Sequence, residues 1–517
     1  MKKIIGLSVL VLAAAVAIPL ACSKGVNDRT ADIPALTPTA ADADAGTWKP
    51  VLVARADTFT LAAPAAVNSV GYVAELNEIK GMQRSLSQAD EDKIKYWSAG
   101  GVLRWNEILR GLVAKYNLPP YQNADGTYPA PNSANPFAYP LFPFANPPYA
   151  ARAYAYISAA QYDALVVAWA LKKKYNRAAP YQVDSTIQLK AGKAGVSAYP
   201  SEAAVLAGVN AEMMKLLFPT EIAAIEARAE EQERAAIAAG VASRSDIVAG
   251  EALGRQIAQL FLARGRADNA GKAIGTPTDW AKLVSDAQAR GETPWYSLET
   301  PKRPPMLPLF GAVKPFLFDS ATCVSLRPGP PPSTGSDQMK KETEEIYNYV
   351  KDASREHLRI VHFWADGAGT YAPPGHWDAI ASEDFIPMHL SEVRWARNMA
   401  LLNMSLMDAG IVCWNTKYYY YNPRPTQMDS RIKTLTGIPN FPSYISGHST
   451  FSGAAATILG HLVPERAQAY ADMAQEASMS RMYGGIHFRS DCTVGLTVGQ
   501  NVGKYAIQRA QNDGAEK

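Results

Sequence analysis

From about residue 90 onward, apolar positions recur every three or four residues, the period of an amphipathic helix. The stretches 95–116, 150–175, 201–218, 221–240 and 243–266 carry this pattern, and so do 337–365, 390–420, 446–463, 464–485 and 491–512. Period-two alternation, the mark of a half-buried strand, is rare. The expected fold is therefore all-α, with helices packed as bundles. Two Pro-rich interruptions, 117–149 and 292–336, are too long to be simple connections. The second divides the helices into an N-terminal bundle over 51–300 and a C-terminal helical domain over 301–517. No short-period repeat is present.

Composition changes this picture mainly at the N-terminus. Apolar residues make up 48% of the 517, enough for a large core, and 51 basic against 48 acidic residues leave a net charge of +3. Neither that balance nor any motif points to nucleic acid. Residues 1–21 begin with Lys2 and Lys3 and continue as an apolar run ending in small residues. They read as a secretory signal peptide. Cys22 directly after it looks like the lipidated cysteine of a bacterial lipoprotein. Residues 22–50, rich in Ala, Thr, Asp and Pro, read as a flexible tether. No later stretch is apolar enough to span a bilayer, so the expected membrane attachment is by lipid anchor only. Cys323, Cys413 and Cys492 are too few for a disulfide framework, and without a CxxC pair a cysteine zinc site is not expected.

The unusual chemistry is concentrated in three segments of the C-terminal half. "KYYYYNPRP" places Lys417 and Arg424 six residues apart; "FPSYISGHST" carries Ser446, Gly447 and His448; "SRMYGGIHFRSD" carries Arg481, His487 and Asp491. The second segment opens a helix of small residues, and a helix start offers unpaired N–H groups to an anion. Two arginines and a lysine suit a multiply charged tetrahedral oxyanion. Gly447, lacking Cβ, lets its N–H approach closely. Asp491, four residues after His487, shares its face on a helix and can hold the imidazole Nδ1–H.

The ordered set K-x6-RP, S-G-H and S-R-x5-H-x3-D resembles the signature of the superfamily joining type 2 phosphatidic acid phosphatases, bacterial acid phosphatases and vanadium-dependent haloperoxidases. Ile445 stands where that family usually has proline. The resemblance implies that Lys417, Arg424, Ser446, Gly447 and Arg481 bind the oxyanion, that His487 bonds its central atom, and that His448 is the acid–base group. "FWADGAGTYAPPGHW" (363–377) resembles a block found upstream of the site in haloperoxidase-like proteins. By the same likeness Asp366 pairs with an active-site arginine, while Trp414 and Phe441 match the chloroperoxidase pattern.

Two activities are therefore expected from one pocket. In the first, bound vanadate supports halide oxidation by hydrogen peroxide. In the second, a phosphomonoester is hydrolysed through a phosphohistidine, with no cofactor. A non-catalytic lipoprotein is the third reading, and the intact set of catalytic residue types argues against it. The haloperoxidase reading leads because soluble acid phosphatases of this kind lack an N-terminal bundle. The remaining histidines, His357, His362, His389 and His461, read as ordinary surface or packing residues, and the tyrosine run 418–421 as packing. His376 reads as structural, after a Pro-Pro-Gly turn.

Overall fold

A computed structural model describes residues 33–117, 146–192, 195–299 and 302–516 of the chain. The described residues form helices and no strand, as the periodicity predicts. Seven helices position the site: α1 (Gly101–Tyr116), α2 (Pro147–Tyr175), α3 (Ala372–Phe385), α4 (Glu392–Tyr420), α5 (Gly447–Leu462), α6 (Ala467–Tyr483) and α7 (Arg489–Ala510).

The two longest helices are also the most buried. Both α2 and α4 contain 29 residues, which makes each about 44 Å long. Asn146 caps α2 and two prolines occupy its first turn, where no N–H partner is lost. Ser391 caps α4, and Tyr421 ends it in the left-handed conformation. The two helices lie side by side. One apolar core extends from Val102 and Leu165 through Met404 and Ile411 to Val502, so helices from both sides of residue 300 share it. Helices α5 and α7 approach unusually closely. A Cβ at Gly499 would stand 2.1 Å from the carbonyl oxygen of Thr450; only glycine permits that contact.

Several boundaries differ from those the pattern predicts. The stretch 95–116 is two helices, broken at Gly100 with φ +117°. The stretch 337–365 is also two, because Ser354 caps a new start at Arg355. Helices Val70–Arg84 and Pro277–Ala289 were not expected. The Pro-Pro-Gly of 373–375 is not a turn: it lies in the first turn of α3, where proline is tolerated.

The tether expectation fails for residues 33–50. Ala45 and Trp48 are buried, and Asp42 pairs with Arg394. The Asp163 carboxylate accepts hydrogen bonds from the N–H groups of Val51, Leu52 and Val53 at 2.5, 2.7 and 2.9 Å. A composition rich in small polar residues looked like linker, but one buried tryptophan, the Asp42–Arg394 ion pair and the Asp163 grip on the residues that follow are enough to seat it. The signal peptide, Cys22 and residues 118–145 of the first Pro-rich interruption lie outside the described residues. No helix among the described residues is long and apolar enough to cross a membrane. Cys323, Cys413 and Cys492 are free and buried.

Candidate active site

The three segments converge. Lys417 comes from the last turn of α4, Ser446 to His448 from the start of α5, Arg481 from the end of α6, and His487 from the loop before α7. Gly447, His448, Arg481 and His487, together with Asp366 from the segment before α3, border a cavity of about 370 Å³ whose walls include Trp414, Phe441 and Phe451; Lys417 and Ser446 lie behind that wall.

His487 sits at the centre of a fully buried network. Its Nδ1 lies 3.0 Å from Asp491 Oδ2, and its Nε2 lies 3.0 Å from Nη1 of Arg424. A guanidinium can only donate, so Nε2 carries the lone pair and Nδ1 carries the proton held by Asp491. The same Asp491 oxygen accepts from Ser443 Oγ at 2.5 Å and from the N–H of Phe488 at 3.0 Å. His487 and Asp491 do not share a helical face, as the spacing suggested. His487 precedes α7, and Asp491 is in its first turn, capping the N–H of Phe488. The pair forms because that cap turns the carboxylate back toward the loop.

The cations are anchored to backbone carbonyls. Lys417 Nζ donates to the carbonyls of Pro442 and Ser443 at 2.9 and 2.8 Å. Arg424 donates to Phe441 O through Nε and Nη2, and to Ile486 O through Nη1. Arg481 donates from Nε to Ser480 Oγ and from Nη2 to Val361 O. Burial drives Arg424 and Arg481 each down to about 10. Burial also lowers the Lys417 ammonium and raises the Asp491 carboxyl. Three buried cations meeting two carboxylates, Asp491 and Asp366, leave an excess of positive charge. A bound oxyanion would offset it. The donor set therefore fits vanadate or phosphate: Arg424, Arg481, Lys417, the Ser446–Gly447 helix start and the His487 lone pair.

Ser446 is the N-cap of α5, accepting from the N–H of Ser449, and is itself buried. At Gly447 a Cβ would meet only Trp414, at an ordinary 3.8 Å. Packing does not demand glycine there. Trp414 donates from Nε1 to Met306 O, and its ring lies 4.9 Å from that of Phe441. The Phe441 ring stands 5.0 Å from both Lys417 Nζ and the Arg424 guanidinium.

Asp366 is buried in the site, but its partner is not an arginine. Oδ1 lies 3.0 Å from His376 Nδ1, and Oδ2 lies 3.6 Å from His448 Nε2. The chain turns left-handed at Asp366, φ +46°, which directs the carboxylate between the two imidazoles, while both arginines are taken up by carbonyls. Burial works to raise this carboxyl, yet the hydrogen bond to His376 and the nearby His448 ring hold it below the usual range. His448 is 16% exposed. Burial and the Arg481 charge lower it to about 4, so it is a free base at neutral pH. The Nε2 of His448 and Oδ2 of Asp366 are both buried without a hydrogen-bond partner among the described residues.

Sequence reasoning missed three contributors. Ser443, inside the quoted second segment, carried no signal of its own. Asn117, at the end of α1, holds the Asp366 loop by donating from Nδ2 to the carbonyls of Gly367 and Thr370. His376 stood inside the block 363–377 but looked structural.

Residues 398–514 match the family profile described as the PAP2 superfamily. This segment is similar to a PAP2 domain. It contains every oxyanion residue named above. A non-specific acid phosphatase of Salmonella typhi is 32% identical over 103 residues, which are 19% of this chain and 41% of that protein. A bacterial vanadium-dependent iodoperoxidase has a similar structure, with a TM-score of 0.56 at 24% identity, covering 70% of this chain and 91% of that one. An apo-type bacterial vanadium-dependent chloroperoxidase gives 0.50 at 12% identity, covering 71% and 95%. The two structural likenesses establish a shared fold that extends well beyond the matched segment, into the N-terminal helices.

Proposed function

We propose that the chain is an oxyanion-dependent enzyme of the haloperoxidase type, exported and anchored through Cys22. The observation that carries the enzymatic reading is the His487 geometry. Asp491 keeps the proton on Nδ1, and Nε2 carries the lone pair, which accepts from Arg424 and which an anion would take over from it, with the charges of Lys417 and Arg481 close enough to act on the ring. That arrangement is what a tetrahedral oxyanion needs for one bond to nitrogen and several charge-assisted hydrogen bonds. Bound vanadate would supply a Lewis acid that activates hydrogen peroxide toward halide.

The protein's part is to hold and protonate. Arg424, Arg481 and Lys417 bind the negative oxygens, and the start of α5 adds its N–H groups. His448 has its Nε2 turned toward Asp366, which leaves Nδ1 as the base for protons delivered at the anion. Apolar walls of Trp414, Phe441 and Phe451 exclude bulk water and strengthen each charge interaction.

The stretch of identity to an acid phosphatase supports a second reading with the same residues. There His487 Nε2 attacks phosphorus, the P–O bond to the alcohol breaks, and His448, protonated once the negative charge of the bound phosphate raises its pKa, passes that proton to the departing alkoxide. Water then hydrolyses the phosphohistidine. The deciding experiment assays one purified sample twice: halide oxidation with vanadate and hydrogen peroxide, and phosphate release from a simple monoester without vanadate. Halide oxidation that needs added vanadate supports the first reading. Fast ester hydrolysis by the vanadate-free protein, with no oxidised iodide or bromide, replaces it with the second.

A further inference from the structure

The segment joining Trp364 to α3 is held more firmly than a connection requires. Asp366 and Ala372 both adopt left-handed backbone conformations, φ +46° and +61°, which non-glycine residues enter at a cost. Asn117 ties down the middle of the segment through its side chain, and its own carbonyl accepts from the N–H of Gly369 at 2.6 Å. Tyr154, on α2, donates to the carbonyl of Tyr371. Its hydroxyl also lies only 2.4 Å from where a Cβ on Gly375 would stand, so α3 starts pressed against α2. All of this fixes one side chain, His376. Its ring sits among Trp364, Phe363 and Tyr371, with centroids 4.7, 5.0 and 6.2 Å away.

From that fixed ring, Nδ1 holds Asp366 Oδ1 at 3.0 Å, while Oδ2 faces His448 Nε2 at 3.6 Å. A carboxylate gripped at one oxygen can present only the other. We propose that His376 is a positioning residue of the active site: through Asp366 it orients and polarises His448, so that His376–Asp366–His448 works as one unit. The inference rests on the acid–base role given to His448 above. The charged and titratable groups facing His448 are Asp366, Arg481, His376 and His487. Those beside Asp366 are His376, His448, Arg481 and Tyr371. Among them only Asp366 stabilises the protonated form of His448. Loosening Asp366 from His376 removes the bond that keeps it ionised in a buried place. His448 then loses its counter-charge and becomes a weaker base.

The test compares His376→Phe, which keeps the ring volume, with His376→Asn, whose Nδ2–H can donate from the same place as the histidine Nδ1. Histidine-selective NMR of the anion-free protein follows the His448 titration directly and requires no activity. For His376→Phe the expected result is a downward shift of the His448 midpoint. With it should come a fall in kcat on the order of 10- to 100-fold, as when a general base loses its orienting partner, and vanadate affinity unchanged within about twofold. His376→Asn should restore the midpoint and most of the rate. If the phenylalanine variant does not fold, Asp366→Asn must show the same downward shift. An unmoved or raised His448 midpoint in either variant, or an asparagine variant as impaired as the phenylalanine one, overturns the proposal. Failure of both activities in the parent protein would instead remove the functional reading and leave the midpoint test standing.

Discussion

Arg424 Nη1 lies 3.0 Å from His487 Nε2, and the same nitrogen also donates to Ile486 O. Nε and Nη2 of Arg424 each donate to Phe441 O, which leaves one N–H of Nη2, and the Nη1–H that faces His487, for an anion. One side chain thus ties the loop carrying His487 to the loop before α5, and it determines which imidazole nitrogen holds the lone pair. A lysine could make only part of this set, because its single ammonium cannot reach three separated acceptors in a plane. Arg424→Lys is expected to weaken vanadate or phosphate binding by roughly 100-fold, the loss of two charge-assisted hydrogen bonds. Direct titration of the anion checks this. Affinity within threefold of the parent would show that Arg424 serves the backbone alone.

Ser443 donates to Asp491 Oδ2 at 2.5 Å and lies 3.3 Å from His487 Nδ1. Removing its hydroxyl leaves Asp491 with one bond fewer and a higher carboxyl pKa, so the hold on the Nδ1–H weakens. Ser443→Ala should lower the rate by about tenfold, in the range seen when a group orienting a catalytic or ligating histidine is lost. Stability should fall by about 1 kcal/mol. Steady-state kinetics and thermal unfolding of the same sample separate the two effects.

Gly447 distinguishes packing from ligand contact. Since a Cβ there would meet only Trp414 at 3.8 Å, Gly447→Ala should leave the melting temperature essentially unchanged. Its methyl group would nonetheless stand at the helix start where an anion binds. Anion affinity should therefore drop by about tenfold or more, the loss of one charge-assisted bond. A variant with parent-like affinity would move the anion away from the start of α5.

For His448→Ala, anion binding should persist while turnover falls by about 10²–10⁴, the usual contribution of a general acid–base group. Complete loss of vanadate binding would make His448 a ligand instead.

Acid should destabilise the anion-free protein through the same residue. Burial and Arg481 bring His448 to about 4 in the folded chain, against roughly 6.5 when unfolded. Between those values the unfolded chain binds a proton that the folded chain refuses, so stability rises with pH and is lost as pH falls through this window. His448→Gln should flatten that slope in denaturant titrations between pH 6.5 and 4. Saturating vanadate should also flatten it in the parent, because a nearby negative charge raises the histidine pKa.

The sequence by itself determined the helical class, the long helices at 150–175 and 390–420, and the set of candidate oxyanion residues. Helix period is a local property, and the motif residues lie within 75 positions of one another, each at a helix end where chemistry is readable from capping rules. What only the tertiary structure decided were contacts between distant segments. Asp366 could not be assigned to His376 and His448 rather than an arginine, because that choice depends on a left-handed turn and on carbonyls that occupy Arg424 and Arg481. Residues 33–50 look like linker until Arg394 and the carbonyl of Asp513, far along the chain, are seen to hold Asp42 and Lys49. Asn117 became part of the site only because α1 ends beside the Asp366 loop, 250 residues later. Local pattern reports what each segment prefers; which side chains meet is settled by how the buried helices α2 and α4 pack, and that energy belongs to the whole core rather than to any one stretch.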